Sequence, residues 1–267
     1  MPYIKANGIR IAYDTCGDMN KKPLFLVPGL CAQRMVFDYL IEELKDDYFL
    51  ITYDCRGHGQ SDHPSEYTMK DHMEDLIALI DSFGYEKVDA LGVSMGSYIV
   101  TGAAIMASDK FDHIIPGVSN THSEKDGSAT NALLERKGLS IKEVSGEEIS
   151  KILAAAMFSP NTSNEKRMEI NTLMSRSPNF VPMTAEDRAV ASKAMIGYDV
   201  TETACNIKAK TMVVSAKYDG LNPPEAGKAL ADLIPGSKFV VMPDSGHMSH
   251  CEEPQLWAKE IRAFLNT

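Results

Sequence analysis

Gly92-Val93-Ser94-Met95-Gly96 sets a serine between two glycines. The apolar run Val88-Asp89-Ala90-Leu91 leads into it, and the small-residue stretch Ser97-Tyr98-Ile99-Val100-Thr101-Gly102-Ala103-Ala104 follows. That order predicts a buried strand, a sharp turn and a helix, with the Ser94 hydroxyl lifted clear of the sheet. Such a turn strains the serine backbone and crowds its neighbours, and glycine at 92 and 96 removes the side chains that would collide. The chemistry suggested is nucleophilic attack by a hydroxyl. A serine hydroxyl is a weak nucleophile at neutral pH, so it needs a base within hydrogen-bond reach and a carboxylate to orient that base.

The chain supplies both downstream. After the apolar run Met212-Val213-Val214 comes Ser215-Ala216-Lys217-Tyr218-Asp219-Gly220, which puts Asp219 on the loop at a strand's carboxyl end. After Phe239-Val240-Val241 comes Pro243-Asp244-Ser245-Gly246-His247, which puts His247 on the next such loop. Functional groups gather at the carboxyl ends of strands in open parallel sheets, so Ser94, Asp219 and His247 can converge.

The elements that must position them form a β-α alternation. Tyr3 to Lys5 and Ile9 to Tyr13 flank Asn7-Gly8, which predicts an antiparallel hairpin. Strands largely buried on both faces are expected at Leu24–Val27, Phe49–Tyr53, Val88–Val93, Ile114-Ile115, Met212–Val214 and Phe239–Val241. Helical patterns fall between them at Arg34–Leu44, Lys70–Phe83, Ser94–Ala107, Pro224–Leu233 and Pro254–Phe264. This is the pattern of a doubly wound, mostly parallel sheet with helices on both faces. The rhythm breaks between His122 and Cys205, where helix-like stretches occur at 129–137, 146–158, 164–175 and 185–197 without a buried strand. Met157, Met168, Met174, Met183 and Met195 lie there and suit either ordinary packing or the adaptable underside of a helical cap facing a ligand.

With 267 residues, 44% of them hydrophobic, the chain can build one large core. A net charge of −10 gives no basic surface for nucleic acid and disfavours anionic membranes. Five scattered cysteines without a C-x-x-C pair suggest neither a disulfide framework nor a zinc site, and fit a reducing cytoplasm. The amino terminus lacks the apolar core of a signal peptide, and no apolar run approaches a membrane span, so a cytoplasmic location is expected.

The sequence resembles the α/β-hydrolase family over nearly its whole length. The resemblance rests on Val27-Pro28-Gly29-Leu30, on Asp54-Cys55-Arg56-Gly57-His58-Gly59-Gln60-Ser61, on the turn at Ser94, on the loop at Asp219, and on Gly246-His247 followed by Glu253-Pro254. It implies an eight-stranded, mostly parallel sheet with an inserted helical cap: a core of residues 1–121 and 206–267 and a cap of residues 122–205. It makes Ser94 the nucleophile, His247 the general acid and base, and Asp219 the orienting acid, with the backbone N–H groups of Leu30 and Met95 forming an oxyanion hole. Pro28 stands where many relatives have histidine, and Ser97 where glycine is common; the donor is the backbone of the next residue and serine is small, so neither change removes the site. An aspartate in place of Ser94 would have implied a haloalkane dehalogenase.

Each choice has a rival. His250 lacks a preceding glycine and falls towards the next helix; Asp244 and Asp126 compete with Asp219, since some relatives carry the acid after the sixth strand. His58 reads as structural, holding a tight turn near the site. Cys31 reads as a small buried filler and Arg34 as a solvated residue at a helix start. The function implied is hydrolysis of a small carboxylic ester through an acyl-enzyme on Ser94, without metal or organic cofactor. The alternative is a lactonase or carbon–carbon bond hydrolase acting on a carboxylated ring-cleavage product. That would need a cationic anchor, for which Lys151, Arg167, Arg176 and Arg188 are the cap candidates. A reading of another class is a small-molecule receptor or signalling protein with a vestigial hydrolase site.

Overall fold

Asn7 and Gly8 both take positive φ, 45° and 80°, and turn strand β1 (Tyr3–Ala6) back onto β2 (Ile9–Cys16). The computed structural model describes residues 2–124 and 129–267. Six more strands complete one sheet: β3 (Pro23–Val27), β4 (Phe49–Tyr53), β5 (Val88–Val93), β6 (Phe111–Gly117), β7 (Lys210–Ala216) and β8 (Lys238–Met242). Their order is β1-β2-β4-β3-β5-β6-β7-β8, antiparallel at the two β2 pairings and parallel elsewhere.

Side chains alternate between two apolar layers because a strand has period two. Phe25 and Val27 of β3 point into one layer with Leu76, Leu79 and Ile80 of α2 (Met69–Phe83) and Ile99, Val100 and Ala103 of α3 (Met95–Met106). Leu24 and Leu26 point into the other, against Leu40 and Leu44 of α1 (Asp38–Leu44) and Trp257 and Ile261 of the carboxyl-terminal helix Pro254–Leu265. Both faces are therefore covered, as parallel sheets require. Helix α2 is fixed at its start by a capping box between Thr68 and Asp71 and at its end by Gly84 at φ 77°, devices worth about 1 kcal/mol each.

Strand β8 departs from the expectation of burial on both faces. It is the sheet edge; Phe239 and Val240 are only partly covered and Val241 is exposed. The sixth strand is longer than Ile114-Ile115, and Arg34–Leu44 divides into one turn of 3₁₀ helix at Arg34–Phe37 followed by α1.

Between β6 and β7 the described residues hold four α-helices, α4 (Ala129–Arg136), α5 (Gly146–Met157), α6 (Asn164–Thr172) and α7 (Ala185–Ala194), and no strand. The ends of this segment meet: His122 and Asp199 form an antiparallel bridge, and the Val200 N–H donates to the Thr121 carbonyl at 2.9 Å. The chain then continues through β7, α8 (Pro224–Leu233), β8, the single turn α9 (Ser249–Glu252) and α10 (Pro254–Leu265). Among the described residues no helix is long and apolar enough to cross a membrane.

Candidate active site

Ser94 sits between β5 and α3 with φ 55° and ψ −123°, a conformation that a non-glycine residue rarely adopts. What forces it is the closeness of strand and helix. A Cβ on Gly92 would lie 2.0 Å from the Gly96 carbonyl oxygen, and one on Gly96 would lie 2.0 Å from that of Val27. The turn is held by the Ser94 N–H on the Gly117 carbonyl, 3.0 Å, and by the Ser97 hydroxyl on the Ser94 carbonyl, 2.5 Å. Ser97 Oγ also lies 2.8 Å from Ser119 Oγ, where it can accept the Ser119 proton, a contact that glycine could not make.

Asp219 and His247 meet. His247 Nδ1–H donates to Asp219 Oδ2 at 2.8 Å, and the Asp219 side chain has no exposed surface. The second Asp219 oxygen accepts the N–H groups of Leu221 (2.8 Å) and Asn222 (2.9 Å), so this buried carboxylate is hydrogen-bonded on both oxygens. Asn222 in turn donates to the Val118 carbonyl at 2.7 Å, tying the acid loop to the end of β6. Of the rivals, Asp244 is exposed and bonded to Asn161, His250 has no hydrogen-bond partner, and Asp126 lies outside the described residues.

The loop after β3 passes beside Ser94. A Cβ on Gly29 would touch the Ser94 side chain, at 3.2 Å from Cβ and 3.7 Å from Oγ. His58 braces this loop: its Nδ1–H donates to the Arg56 carbonyl at 2.9 Å while Nε2 accepts the Cys31 N–H at 3.1 Å. Burial lowers the His58 pKa to about 4, which keeps the ring neutral and able to accept. Arg34 corrects the expectation of a solvated residue. It is 1% exposed, bonded through Nε to Asp14 at 2.5 Å and through Nη1 to Asp54. Asp54 also accepts the Arg34 and Gln60 N–H groups, both at 2.9 Å, and burial still holds its pKa above the usual carboxylate value. Cys31, expected as a buried filler, is exposed, with φ 61°.

Gly29, Leu30, Ser94 and His247 share the wall of a cavity of about 350 Å³. The opposite wall comes from the segment between β6 and β7 and includes Met157, Ile170, Met174 and Met195. Of the remaining methionines there, Met168 is 63% exposed and Met183 packs with Tyr67, Ala191 and Ala194. No lysine or arginine among the described residues lines the cavity. Lys151 pairs with Glu147 on the surface, and Arg167, Arg176 and Arg188 donate to the carbonyls of Ser159, Glu169 and Met183. Among the described residues no group of three His, Cys, Asp or Glu side chains is arranged to hold a metal ion.

One residue of the site escapes sequence reasoning. Glu252 accepts the Gly246 N–H at 2.8 Å and the Ser159 N–H at 2.9 Å, locking the His247 loop onto the chain beyond α5. Its only sequence signal is its place beside Glu253-Pro254.

Known proteins resemble this chain over nearly its whole length. The chain is 27% identical over 282 residues to a proline iminopeptidase of Pestalotiopsis fici, covering 98% of each chain. It is 26% identical to 3-oxoadipate enol-lactonase 2 of Acinetobacter baylyi, covering 98% of this chain and 95% of that one. The crystal structure of the enol-lactonase from Burkholderia xenovorans superposes over 100% of both chains with a TM-score of 0.83 at 22% identity, a likeness of fold. The sequence profile of the alpha/beta hydrolase fold matches residues 22–133 and 144–254, most of the length, and the chain belongs to that family.

Proposed function

We propose that the protein is a serine hydrolase that cleaves small, uncharged carboxylic esters through an acyl-enzyme on Ser94. The observation that carries the reading is the 2.8 Å contact between His247 and the buried Asp219, in the wall of the cavity that Ser94 also faces. In this reading Ser94 Oγ attacks the ester carbonyl while His247 Nε2 takes its proton. Asp219 holds the ring in the tautomer that presents Nε2 and stabilises the imidazolium. The imidazolium gives the proton to the departing alkoxide, and water, deprotonated by His247, then releases the acid. The N–H groups of Leu30 and Met95 would receive the oxyanion, Met95 at the start of a twelve-residue helix; such donors are worth about 3 kcal/mol each. Residues 122–205 act as a cap that supplies the apolar wall.

The character of the cavity favours a neutral ester over a carboxylated lactone or ring-cleavage product. A substrate carboxylate would lose its hydration against methionine and aliphatic side chains, with no cation among the described residues lining the cavity to meet it. The names of the relatives, an enol-lactonase and an iminopeptidase, both denote cleavage at an acyl carbon, consistent with one nucleophile serving different leaving groups.

The test is reaction with a fluorophosphonate followed by mass mapping, alongside turnover of p-nitrophenyl butyrate. Label on the Ser94 peptide and many turnovers per protein are expected, with Ser94→Ala at least about a thousandfold slower. Folded protein that takes no label and turns nothing over would refute the proposal and favour a receptor.

A further inference from the structure

Gln33 is 1% exposed, and its side-chain amide makes two bonds to a single residue 148 positions away: Nε2–H donates to the Val181 carbonyl at 2.6 Å, and Oε1 accepts the Val181 N–H at 3.2 Å. This is the two-way pairing that a neighbouring strand would make, and it satisfies an amide that is costly to bury without partners. Val181 belongs to the stretch between α6 and α7, and Gln33 ends the loop after β3, three residues beyond Leu30. The Ala32 N–H donates to the Gly29 carbonyl at 3.1 Å, which makes this loop a tight turn, and Cys31 within it has φ 61°. A non-glycine residue keeps that left-handed conformation only where its surroundings hold it. His58 holds Cys31 from the core side, through the Cys31 N–H. The segment between β6 and β7 holds the loop from the other side: Val181 meets the Gln33 amide, Met174 Sδ accepts the Gln33 N–H at 3.3 Å, and Leu30 packs on the cluster that contains Met183, Ala191 and Ala194.

We infer that Gln33 is a positioning residue: by fastening the loop after β3 to Val181, it keeps the Leu30 N–H where an oxyanion would form. The inference rests on the proposed hydrolase reading, in which Leu30 and Met95 receive that oxyanion. Met95 belongs to the turn at Ser94, so losing the bonds to Val181 would displace one donor and leave the other. A donor misplaced by about 1 Å costs about a hundredfold. Because His58 still holds the loop from the core side, the loss expected is about ten- to a hundredfold in kcat, with KM little changed.

The experiment compares turnover of p-nitrophenyl butyrate in the wild type, in Gln33→Met, which keeps the length of the side chain without its polar groups, and in Gln33→Glu. A glutamate carboxylate cannot donate to the Val181 carbonyl, whereas its protonated form can. In Gln33→Met kcat should fall by about tenfold or more at every pH. The ratio of Gln33→Glu to wild type should start low and rise as pH falls from about 8 to about 5.5 and the carboxyl takes up its proton. A second readout is inhibition by trifluoromethyl butyl ketone relative to its alcohol. Ser94 Oγ adds to the ketone carbonyl, the hydroxyl proton passes to His247 and the carbonyl pair becomes the oxyanion; the alcohol fills the same space and forms none. The preference for the ketone should fall by about tenfold or more in Gln33→Met, and because it is a ratio within one protein, a loss of folded fraction cancels. If Gln33→Met does not fold, the pH dependence within Gln33→Glu carries the test. Wild-type kcat in Gln33→Met, a fall in kcat with the ketone preference kept, or a Gln33→Glu ratio that stays low at acid pH overturns the inference alone. Wild-type protein that neither turns over the ester nor prefers the ketone refutes the hydrolase reading, and the role of Gln33 with it.

Discussion

Replacing Gly96 by alanine is expected to damage the site more than the fold. The new Cβ would lie 2.0 Å from the Val27 carbonyl oxygen, 2.7 Å from its carbon and 2.8 Å from the Pro28 oxygen. All three are backbone atoms, so no change of rotamer relieves the overlap, and since Cβ atoms essentially never approach within 3.0 Å, β3 and α3 must separate locally by about 1 Å. Overpacking of this kind costs about 1–3 kcal/mol, a fall in Tm of roughly 2–12 °C for a chain of this size. The displacement falls on Pro28-Gly29-Leu30, beside Ser94, where the proposed Leu30 donor must meet the oxyanion. A misplacement of 1 Å costs about a hundredfold, and loss of one donor about a hundred- to a thousandfold. The assay is kcat for p-nitrophenyl butyrate together with thermal unfolding: kcat should fall by about two to three orders of magnitude while most of the protein stays folded at 25 °C. Gly146→Ala is the control. Nothing lies within 4 Å of a Cβ there and the residue opens α5, so activity should persist and stability should stay level or rise by less than about 1 kcal/mol. Wild-type kcat in Gly96→Ala would mean that the strand–helix approach at Ser94 does not set the geometry of the site.

Asp219→Asn should lower kcat by about three to four orders of magnitude by stabilising the wrong His247 tautomer, with little change in KM; a loss below tenfold would point to another acid. Arg34→Met leaves the fully buried Asp54 without its guanidinium and should cost about 3–5 kcal/mol in denaturant unfolding. Burial already raises the folded pKa of Asp54, so the native state binds more protons than the unfolded one, and this group's contribution declines as pH rises through that window. Losing Arg34 raises the pKa further, and the variant's deficit should grow from pH 4 to pH 7; a deficit independent of pH would refute the pairing. Asp187, which caps α7 through Thr184 and reaches His63 at 2.9 Å, has its pKa lowered to about 2, first by the Thr184 hydroxyl and then by His63. Its contribution to stability is complete above the ordinary value near 4 and is lost as pH falls through about 2. An NMR titration of the Asp187 carboxyl should show this midpoint, and Thr184→Val should move it upward.

Two of the three candidate groups were legible because each lies just after a run of residues buried on both faces, a pattern that fixes strand, direction and carboxyl end together; His247 instead follows the edge strand β8, whose apolar run Phe239-Val240-Val241 marks a strand although it is only partly covered. Val88–Val93 delivers Ser94, and Lys210–Ala216 delivers Asp219 three residues on. Helix limits fall within a residue or two where a cap marks them, as at Thr68 and Gly84. Arg34 was misjudged because nothing near it in sequence shows its partners: Asp14 is on β2 and Asp54 follows β4, each twenty residues away. The exposure of Val241 depends on β8 being the sheet edge, a fact of topology that its apolar sequence does not carry. Which methionines line the cavity was equally hidden, since helical spacing gives a face but not what that face meets; Met174 lines the wall while Met168 points to solvent.

The clamp between α5 and the loops of Asp219 and His247 links the shape of the cavity to how well the proposed catalytic pair is held. The Gly220 N–H donates to the Ala156 carbonyl at 2.9 Å, and the Met248 N–H to the Met157 carbonyl at 3.1 Å. These two bonds join the residues next to Asp219 and His247 to one turn at the end of α5. There is no slack at either contact: a Cβ on Gly220 would lie 2.8 Å from Ala156 Cα, and one on Gly246 would lie 2.7 Å from the Phe158 carbonyl carbon. The same turn supplies Met157 to the cavity wall. The pairing of Asp219 with His247 is thus held from both sides, by the strands beneath and by α5 above. A change in α5 that reshapes the cavity must also move the backbone that keeps the imidazole in register, whereas α6 and α7 have no such bond to either loop. Variation in substrate preference that spares the chemistry is therefore easier to accommodate at Ile170, Met174 and Met195 than at Met157.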